Sequence, residues 1–547
     1  MTTLLAERRA PALASGRASR PAIGDDVVRE LAIEQAVCVR PVVRRVTDRA
    51  TGVVTTVAIR CGSTRESRCP SCASNARRLR MTQCAEGWHA AVEPAVDPAT
   101  VEHAGGPDSC PAEENDAGEQ EDVGDEVARQ TRSTRRRADA PDLPTRPVEN
   151  RTVGRTFTAP DGKMYQPSMF VTLTLPSYGK VRPFTGAPVD PARYDYRRAA
   201  LDALHFSKLL DRWVQNLRRC AGYRAQYFGA VEAQRRLAPH FHVAIRGAIP
   251  RATLRAVTKA TYFQLWWPQM ETPVYDHRLP VWDGADYRDP DTGMALPTWQ
   301  QAVDALGDEL PGTRPAHVMR LGSQVDIKGI VGGTPDADRA VRYLTKYLTK
   351  AVAETYADDD AVDVAYEAHI DRLHHEVRWL PCSKECANWL RFGVQPYNAG
   401  PGLVPGRCPA KAHDREHLGV GGRRVLVSRS WSGKTLTEHR ADRAAVVRAA
   451  LQAAGIEAPA AERMAAEVLH TDGLPRYTWQ DVPVSALDYA RVVMGSVVEA
   501  RRWRAEYERA REVMVGAAVC QRAGPPVAAV DSLSAEERTE RERGRWQ

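Results

Sequence analysis

From about residue 95 to 150 the chain carries acids, Gly, Pro and Ser, with too few apolar side chains to close a core, so folded pieces must lie on either side of it. Within it Glu113, Glu114, Asp116, Glu119, Glu121, Asp122, Asp125 and Glu126 are followed by Arg129, Arg132, Arg135, Arg136 and Arg137. An acidic block beside a basic one reads as a disordered, solvated linker. The rest is ordinary globular material: 43% apolar and 27% charged over 547 residues excludes wholesale disorder and a lone small binding module. Lys and Arg exceed Asp and Glu by 76 to 69, a formal +7 that admits an anionic partner without identifying one. No stretch reaches the roughly 18 uninterrupted apolar residues of a membrane helix. The opening Met1-Thr-Thr-Leu-Leu-Ala-Glu-Arg-Arg lacks the apolar run of a secretory leader. The expectation is a cytoplasmic protein that does not enter a membrane.

Composition divides the chain further: a disordered lead-in over 1–30, a compact N-terminal module over 31–94, the linker over 95–150, a larger folded domain over 151–355, a Cys/His-containing accessory region over 356–435, and a helical C-terminal region over 436–547 with a fraying tail. Eleven cysteines in a reducing compartment are free thiols or metal ligands rather than a disulfide scaffold. Cys61, Cys69 and Cys72, with Cys38 upstream, offer four thiolates for a structural Zn²⁺. The strand-like run Val53 to Arg60 and the helix-prone Ala73 to Met81 make this a zinc-ribbon-like unit, and Arg60, Arg65, Arg68, Arg77, Arg78 and Arg80 suit it to phosphate contacts. Cys84 and Cys110 have no evident partners. A looser set, Cys382 and Cys386 followed by Cys408, His413 and His417, is a candidate for a second zinc.

The larger domain carries the chemistry. Phe170 to Leu175 alternates as a strand and runs into Pro176-Ser-Tyr-Gly; residues 198–219 have helical spacing; Tyr227 to Gln234 and His240 to Arg246 form a hairpin; helices are predicted near 251–266 and 336–353. This is an α+β pattern with helices packed on an antiparallel sheet. Alternate residues of a strand share a face, so His240 and His242 converge while Phe241 and Val243 point away. Glu232 and Gln234 share a face of the preceding strand, and either one across from the histidines completes a three-ligand site for Mn²⁺ or Mg²⁺ with positions left for substrate. Tyr343, Lys346, Tyr347 and Lys350 fall on one face of a helix, with Val341, Leu344 and Leu348 anchoring the other. A phenol titrates near ~10 and is a poor nucleophile at neutral pH, but adjacent ammonium groups and a metal-polarised phosphate favour its attack.

These residues resemble the HUH endonucleases, particularly the rolling-circle replication initiators of actinobacterial plasmids and integrative elements. Phe170-Val-Thr-Leu-Thr-Leu-Pro-Ser-Tyr-Gly179 is similar to the first motif, Pro239-His-Phe-His-Val-Ala-Ile245 to the His-hydrophobic-His motif, and Tyr343 to Lys350 to the tyrosine motif; the similarity extends through Asn388 to Pro396 and Leu418 to Ser428. The resemblance implies an antiparallel-sheet HUH endonuclease domain over 151–355 that nicks one strand at a DNA origin through a 5′-phosphotyrosine intermediate and leaves a 3′-hydroxyl for a polymerase. It implies Tyr347 as first choice of nucleophile and Tyr343 as second, with Lys350 and Lys346 at the phosphate and His240, His242 and Glu232 or Gln234 on the ion. Gly433-Lys-Thr435 is no nucleotide loop, because Ser428 stands where the pattern needs Gly, so unwinding falls to a host helicase. His374-His375-Glu376 lacks the second histidine of a zinc protease and reads as surface. The alternatives are a relaxase or transposase of the same superfamily, disfavoured because the tyrosines follow the histidines, and a catalytically inactive zinc-dependent DNA-binding regulator.

Overall fold

The computed structural model describes residues 24–90; 137–306 apart from 138, 153–155, 159, 161 and 163; 314–346; 348–349; 364–453 apart from 422, 423 and 429; 455; 468–483; and 486–522. Most of the charged linker, Cys110, Tyr347 and Lys350 lie outside the described residues. The chain forms two compact units, one of residues 1–61 with 441–547 and one of residues 62–440. The segment 31–94, expected as one module, is therefore divided at Cys61, and its first half is grouped with the C-terminal region.

In the smaller unit, Val42–Asp48 is the central strand of a three-stranded antiparallel sheet between Val54–Ile59 and Tyr477–Val482. The last strand alternates Tyr477 and Trp479 with Thr478 and Gln480, a period-2 pattern inside a region expected to be helical. Arg476 donates to both carboxylate oxygens of Asp48 at 2.8 and 2.9 Å, and Arg49 reaches Asp472 at 2.7 Å, which fixes the register where the strands meet. The helices Asp25–Glu34 and Ala486–Arg522 also meet in this unit.

The larger unit is an α+β domain. Its elements in chain order are α1 (Pro70–Trp88), β1 (Pro167–Leu173), α2 (Tyr196–Leu204), α3 (Phe206–Ala221), β2 (Tyr227–Ala233), β3 (Pro239–Arg246), α4 (Arg251–Ala260), β4 (Val325–Val331), α5 (Pro335–Thr345), α6 (Val364–Trp379) and β5 (Val425–Val427). The strands form one antiparallel sheet in the order β4-β1-β3-β2-β5. Sequence periodicity places the sheet correctly but overruns the helices. The predicted helix over 198–219 breaks at His205, whose φ of −111° and ψ of 12° are not helical. The one near 251–266 stops at Ala260, where Thr261 turns its hydroxyl back to the Val257 carbonyl at 2.7 Å and Tyr262–Leu265 continues as a strand paired with His317–Arg320.

Strand alternation sends Val171, Leu173, Phe241, Val243 and Ile245 to one face, where they pack with Leu209, Trp213 and Leu217 of α3 and Leu254 and Val257 of α4. Trp213 Nε1 donates to Thr258 Oγ1 at 3.0 Å and ties those two helices together. The other face carries Phe170, Phe228, Ala230 and Ala244 and is covered by Cys84 and Trp88 of α1, Val341 and Leu344 of α5, and Trp431. Arg246, 5% exposed, leaves the end of β3 to donate to the Gly87 carbonyl at 2.9 Å, with its guanidinium 5.1 Å from the Trp431 ring. A cation there meets the electron-rich carbonyl end of α1 and bolts that helix to the sheet. Gly229 is required for a different reason: a Cβ at this position would lie 2.1 Å from the Phe241 ring.

Candidate active site

The α5 face of the sheet carries the ionisable residues. The hairpin register puts Glu232 directly across from His240 and Ala230 across from His242, so the carboxylate and both imidazoles share one patch. His242 Nε2 lies 3.2 Å from His240 Nε2 and 3.3 Å from Glu232 Oε2, and His240 Nε2 lies 3.6 Å from that same oxygen. Thr172, paired with His242 across β1 and β3, sets its hydroxyl 2.9 Å from His242 Nδ1. Phe170 lies parallel to the His242 ring, with centroids 6.2 Å apart, and holds its plane.

Helix α5 begins at the cap of Thr334, whose hydroxyl accepts from the Ala337 N–H, and buries Val341 and Leu344 against the sheet. That docking turns Tyr343, 44% exposed, so that its hydroxyl stands 3.3 Å from His242 Nε2 while Phe170 meets its ring edge-on at 6.1 Å. The helix ends at Thr345, short of the predicted 353, and beyond it the Thr349 carbonyl accepts from the Glu66 N–H at 2.8 Å. Lys346 caps the helix and is exposed. Tyr343, the second choice on sequence, stands beside the imidazoles; Tyr347, the first choice, and Lys350 lie outside the described residues.

Burial alone would raise the Glu232 carboxyl, but hydrogen bonds from His240 and His242 outweigh it and hold the group at about 2. Burial pulls His240 below its ordinary value against the opposing pull of Glu232. Where Nε2 of His242 donates to Glu232, Nδ1 accepts from the Thr172 hydroxyl, and the Tyr343 hydroxyl stands 3.3 Å from the same Nε2. Two Nε2 atoms and a carboxylate oxygen converge on one pocket, so a cation that displaced the Nε2 protons would meet three lone pairs there. The three separations of 3.2 to 3.6 Å sit close to the edge of about 3 Å expected between adjacent ligands of an octahedral cation bound at about 2.1 Å. The donor set therefore fits a hard divalent ion. Gln234 stands beyond the last register pair, in the turn, and its Oε1 accepts from Arg236 Nε at 2.8 Å.

A second cluster gathers Cys382, Cys386, Cys408 and His413, with ligand atoms within 4.8 Å of one another. His417, grouped with them on sequence, falls outside: its Nδ1 faces Asp414 Oδ2 at 3.6 Å. Of the N-terminal cysteines, Cys61 N–H donates to Cys38 Sγ at 3.3 Å within the smaller unit, while Cys69 caps α1 and Cys72 lies in its first turn within the larger one.

The model of the RepSA family, described as the replication initiator protein of pSAM2, matches residues 25–490. The chain belongs to this family. A curated relative, a replication initiator protein of Streptomyces ambofaciens, is 29% identical over 226 residues, which is 35% of this chain and 43% of the relative. The chain thus spans less than half the length of that relative. No solved structure matches it.

Three residues around the site escape sequence reasoning. Phe170 and Thr172 lie on the quoted first motif, and strand alternation gives them a shared face, but which face meets the histidines depends on the pairing of β1 with β3. Arg424 gives no local signal. It is buried at the start of β5, donates to the Val231 carbonyl at 3.3 Å, and its guanidinium is pulled down to about 10 by burial and by Arg65, against the charge of Glu232.

Proposed function

We propose that the chain is a rolling-circle replication initiator of the HUH type, which nicks and rejoins one strand at a DNA origin through a 5′-phosphotyrosine link. The observation that carries this reading is the Tyr343 hydroxyl 3.3 Å from an imidazole that itself belongs to a two-histidine, one-carboxylate cluster. Membership of a replication initiator family supports the same class of activity. Glu232, His240 and His242 would hold Mn²⁺ or Mg²⁺. The bound ion would supply a Lewis acid for the scissile phosphate and neutralise charge as it develops. In the reaction the tyrosine oxygen bonds to phosphorus and loses its proton, the bond from phosphorus to the 3′-oxygen breaks, and that oxygen leaves as a hydroxyl. Attack by a 3′-hydroxyl on the phosphotyrosine reverses the step and rejoins the strand.

Tyr343 is assigned first as nucleophile, with Tyr347 its alternate four residues on and Lys346 and Lys350 as candidate phosphate contacts. Thr172 would keep the His242 ring oriented, with Nε2 toward His240 and Glu232. Cys38, Cys61, Cys69 and Cys72 are assigned to a structural zinc on the strength of their spacing, including the Cys-x-x-Cys turn. Origin DNA is the partner this chemistry requires, with a helicase and a polymerase of the host acting on the product. Among the described residues no helix is long and apolar enough to cross a membrane.

The test is direct. Labelled single-stranded origin oligonucleotide is incubated with the full chain and Mn²⁺, and a denaturant-resistant adduct is sought. The expected result is an adduct that maps to the Tyr343 peptide and disappears in Tyr343→Phe. An adduct that survives in Tyr343→Phe but not in Tyr347→Phe moves the assignment to Tyr347, and survival in the double variant overturns the tyrosine mechanism.

A further inference from the structure

The accessory segment after α6 brings together ligands from three stretches of chain: Cys382 and Cys386 before the short 3-10 helix Ala387–Phe392, Cys408 in the following loop, and His413 at the end of the 3-10 turn Lys411–His413. Cys382 Sγ and Cys408 Sγ are 4.0 Å apart, and Cys386 Sγ and His413 Nε2 are 3.5 Å apart. A tetrahedral zinc with bonds of about 2.3 Å to sulfur and about 2.0 Å to nitrogen has edges of about 3.8 Å between sulfurs and about 3.6 Å from sulfur to nitrogen. These two edges already stand close to those separations, and all four donors lie within 4.8 Å of one another. Two thiols bridged as a disulfide would need their sulfurs about 2.05 Å apart, and such a pair would use neither Cys386 nor His413.

The surroundings hold the donors in this arrangement. His413 Nδ1 donates to the Val377 carbonyl at 2.7 Å, which fixes the tautomer that leaves Nε2 as a ligand and also satisfies a carbonyl in the last turn of α6. Asn388, fully buried, donates to the carbonyls of Arg378 and Leu380 at 2.9 and 3.0 Å and accepts from Gly406 N–H at 2.7 Å. It therefore stitches the end of α6 to the loop that delivers Cys408. Downstream of His413 the chain passes to Arg424 and to β5, which pairs with the strand bearing Glu232.

We propose that Cys382, Cys386, Cys408 and His413 bind one structural zinc ion that fixes the accessory segment against the sheet domain, independently of the nicking reaction. The four protein donors fill the tetrahedron and leave no position for water or substrate, so the ion acts as a staple.

The full chain is purified without chelator and its zinc is measured by mass spectrometry. Cys408→Ala is expected to hold one zinc per chain fewer than the unmodified protein, whereas His413→Cys, which keeps four donors, retains the full count. An unchanged zinc content in both Cys408→Ala and Cys382→Ala overturns the proposal. Should those variants fail to fold, the unmodified protein decides. Cys382, Cys386 and Cys408 are expected to resist alkylation in the zinc-loaded chain and to be labelled after chelation. Equal labelling before and after, or recovery of Cys382 and Cys408 as one disulfide-linked peptide, overturns it as well.

Discussion

Two donor clusters in the larger unit sit on either side of a chemical divide. Glu232, His240 and His242 present one hard carboxylate and two borderline imidazoles beside a phenol that is 44% exposed. Cys382, Cys386, Cys408 and His413 present four donors, three of them soft, with the imidazole locked by a helix carbonyl. Three ligands leave coordination positions for a phosphate, and four close the site. On the roles proposed above, donor count and softness would separate reactivity from stapling, although both clusters draw on histidines.

The sharpest way to break that contrast is to exchange the consequences. Glu232→Ala removes one of three donors, and Mn²⁺-dependent adduct formation is expected to fall by on the order of 10³ or more while the melting temperature stays within a few degrees. Cys408→Ala is expected to do the reverse, lowering the melting temperature by on the order of 10 °C with adduct formation preserved in the fraction that remains folded. If Glu232→Ala instead melts early and stays active, the first cluster is the structural one and the comparison is inverted.

A smaller effect tests whether the imidazole orientation matters. Thr172→Val keeps shape but deletes the hydroxyl that faces His242 Nδ1 at 2.9 Å. Apparent Mn²⁺ affinity in the nicking assay is expected to drop by about 10- to 100-fold. An unchanged metal titration would mean that packing against Phe170 alone orients the ring.

The smallest effect concerns an imidazole that belongs to neither cluster. His205 sits at the break between α2 and α3 against the Trp267 ring, 4.8 Å between centroids, and its Nε2 has no hydrogen-bond partner among the described residues. Burial, reinforced by the charges of His317 and Lys208, holds its pKa down to about 3 from 6.5. The folded state therefore keeps this group neutral where the unfolded chain takes up a proton. Stability contributed by the neutral ring is present above pH 6.5 and is lost as pH falls from 6.5 toward 3. Between pH 7.5 and 5.5 denaturant unfolding should show about 1 kcal/mol of loss, and His205→Leu should remove that share. Identical pH dependence in the variant would assign the acid sensitivity elsewhere, for example to His369, held down to about 4 in the same way.

Much of the site is legible in local pattern, and its gaps are instructive. The strand alternation of Pro239–Arg246 places His240 and His242 together without any knowledge of neighbours. Glu232 and Gln234 share a face equally well on paper, and only the register at Ala233 opposite Pro239 leaves Gln234 in the turn. Tyr343 and Tyr347 are likewise equivalent on a helical wheel; of the two, Tyr343 lies among the described residues with its hydroxyl 3.3 Å from His242 Nε2, and Thr349 beyond the helix is tied to Glu66, 283 residues away in sequence. The strand Tyr477–Val482 pairs with Val42–Asp48 across more than four hundred residues, a partnership no window of sequence contains.

Sequence by itself determined the shared face of the histidine pair, the antiparallel α+β character of the larger unit and the residue types at both donor clusters, because these follow from covalent geometry and side-chain chemistry. Tertiary structure alone decided which carboxylate meets the imidazoles, that Tyr343 stands beside them, that His413 rather than His417 gathers with the three cysteines, and where the chain divides into units. Those choices depend on strand register, helix docking and hydrogen bonds between residues far apart in the chain, whose energies exist only once both partners are in place.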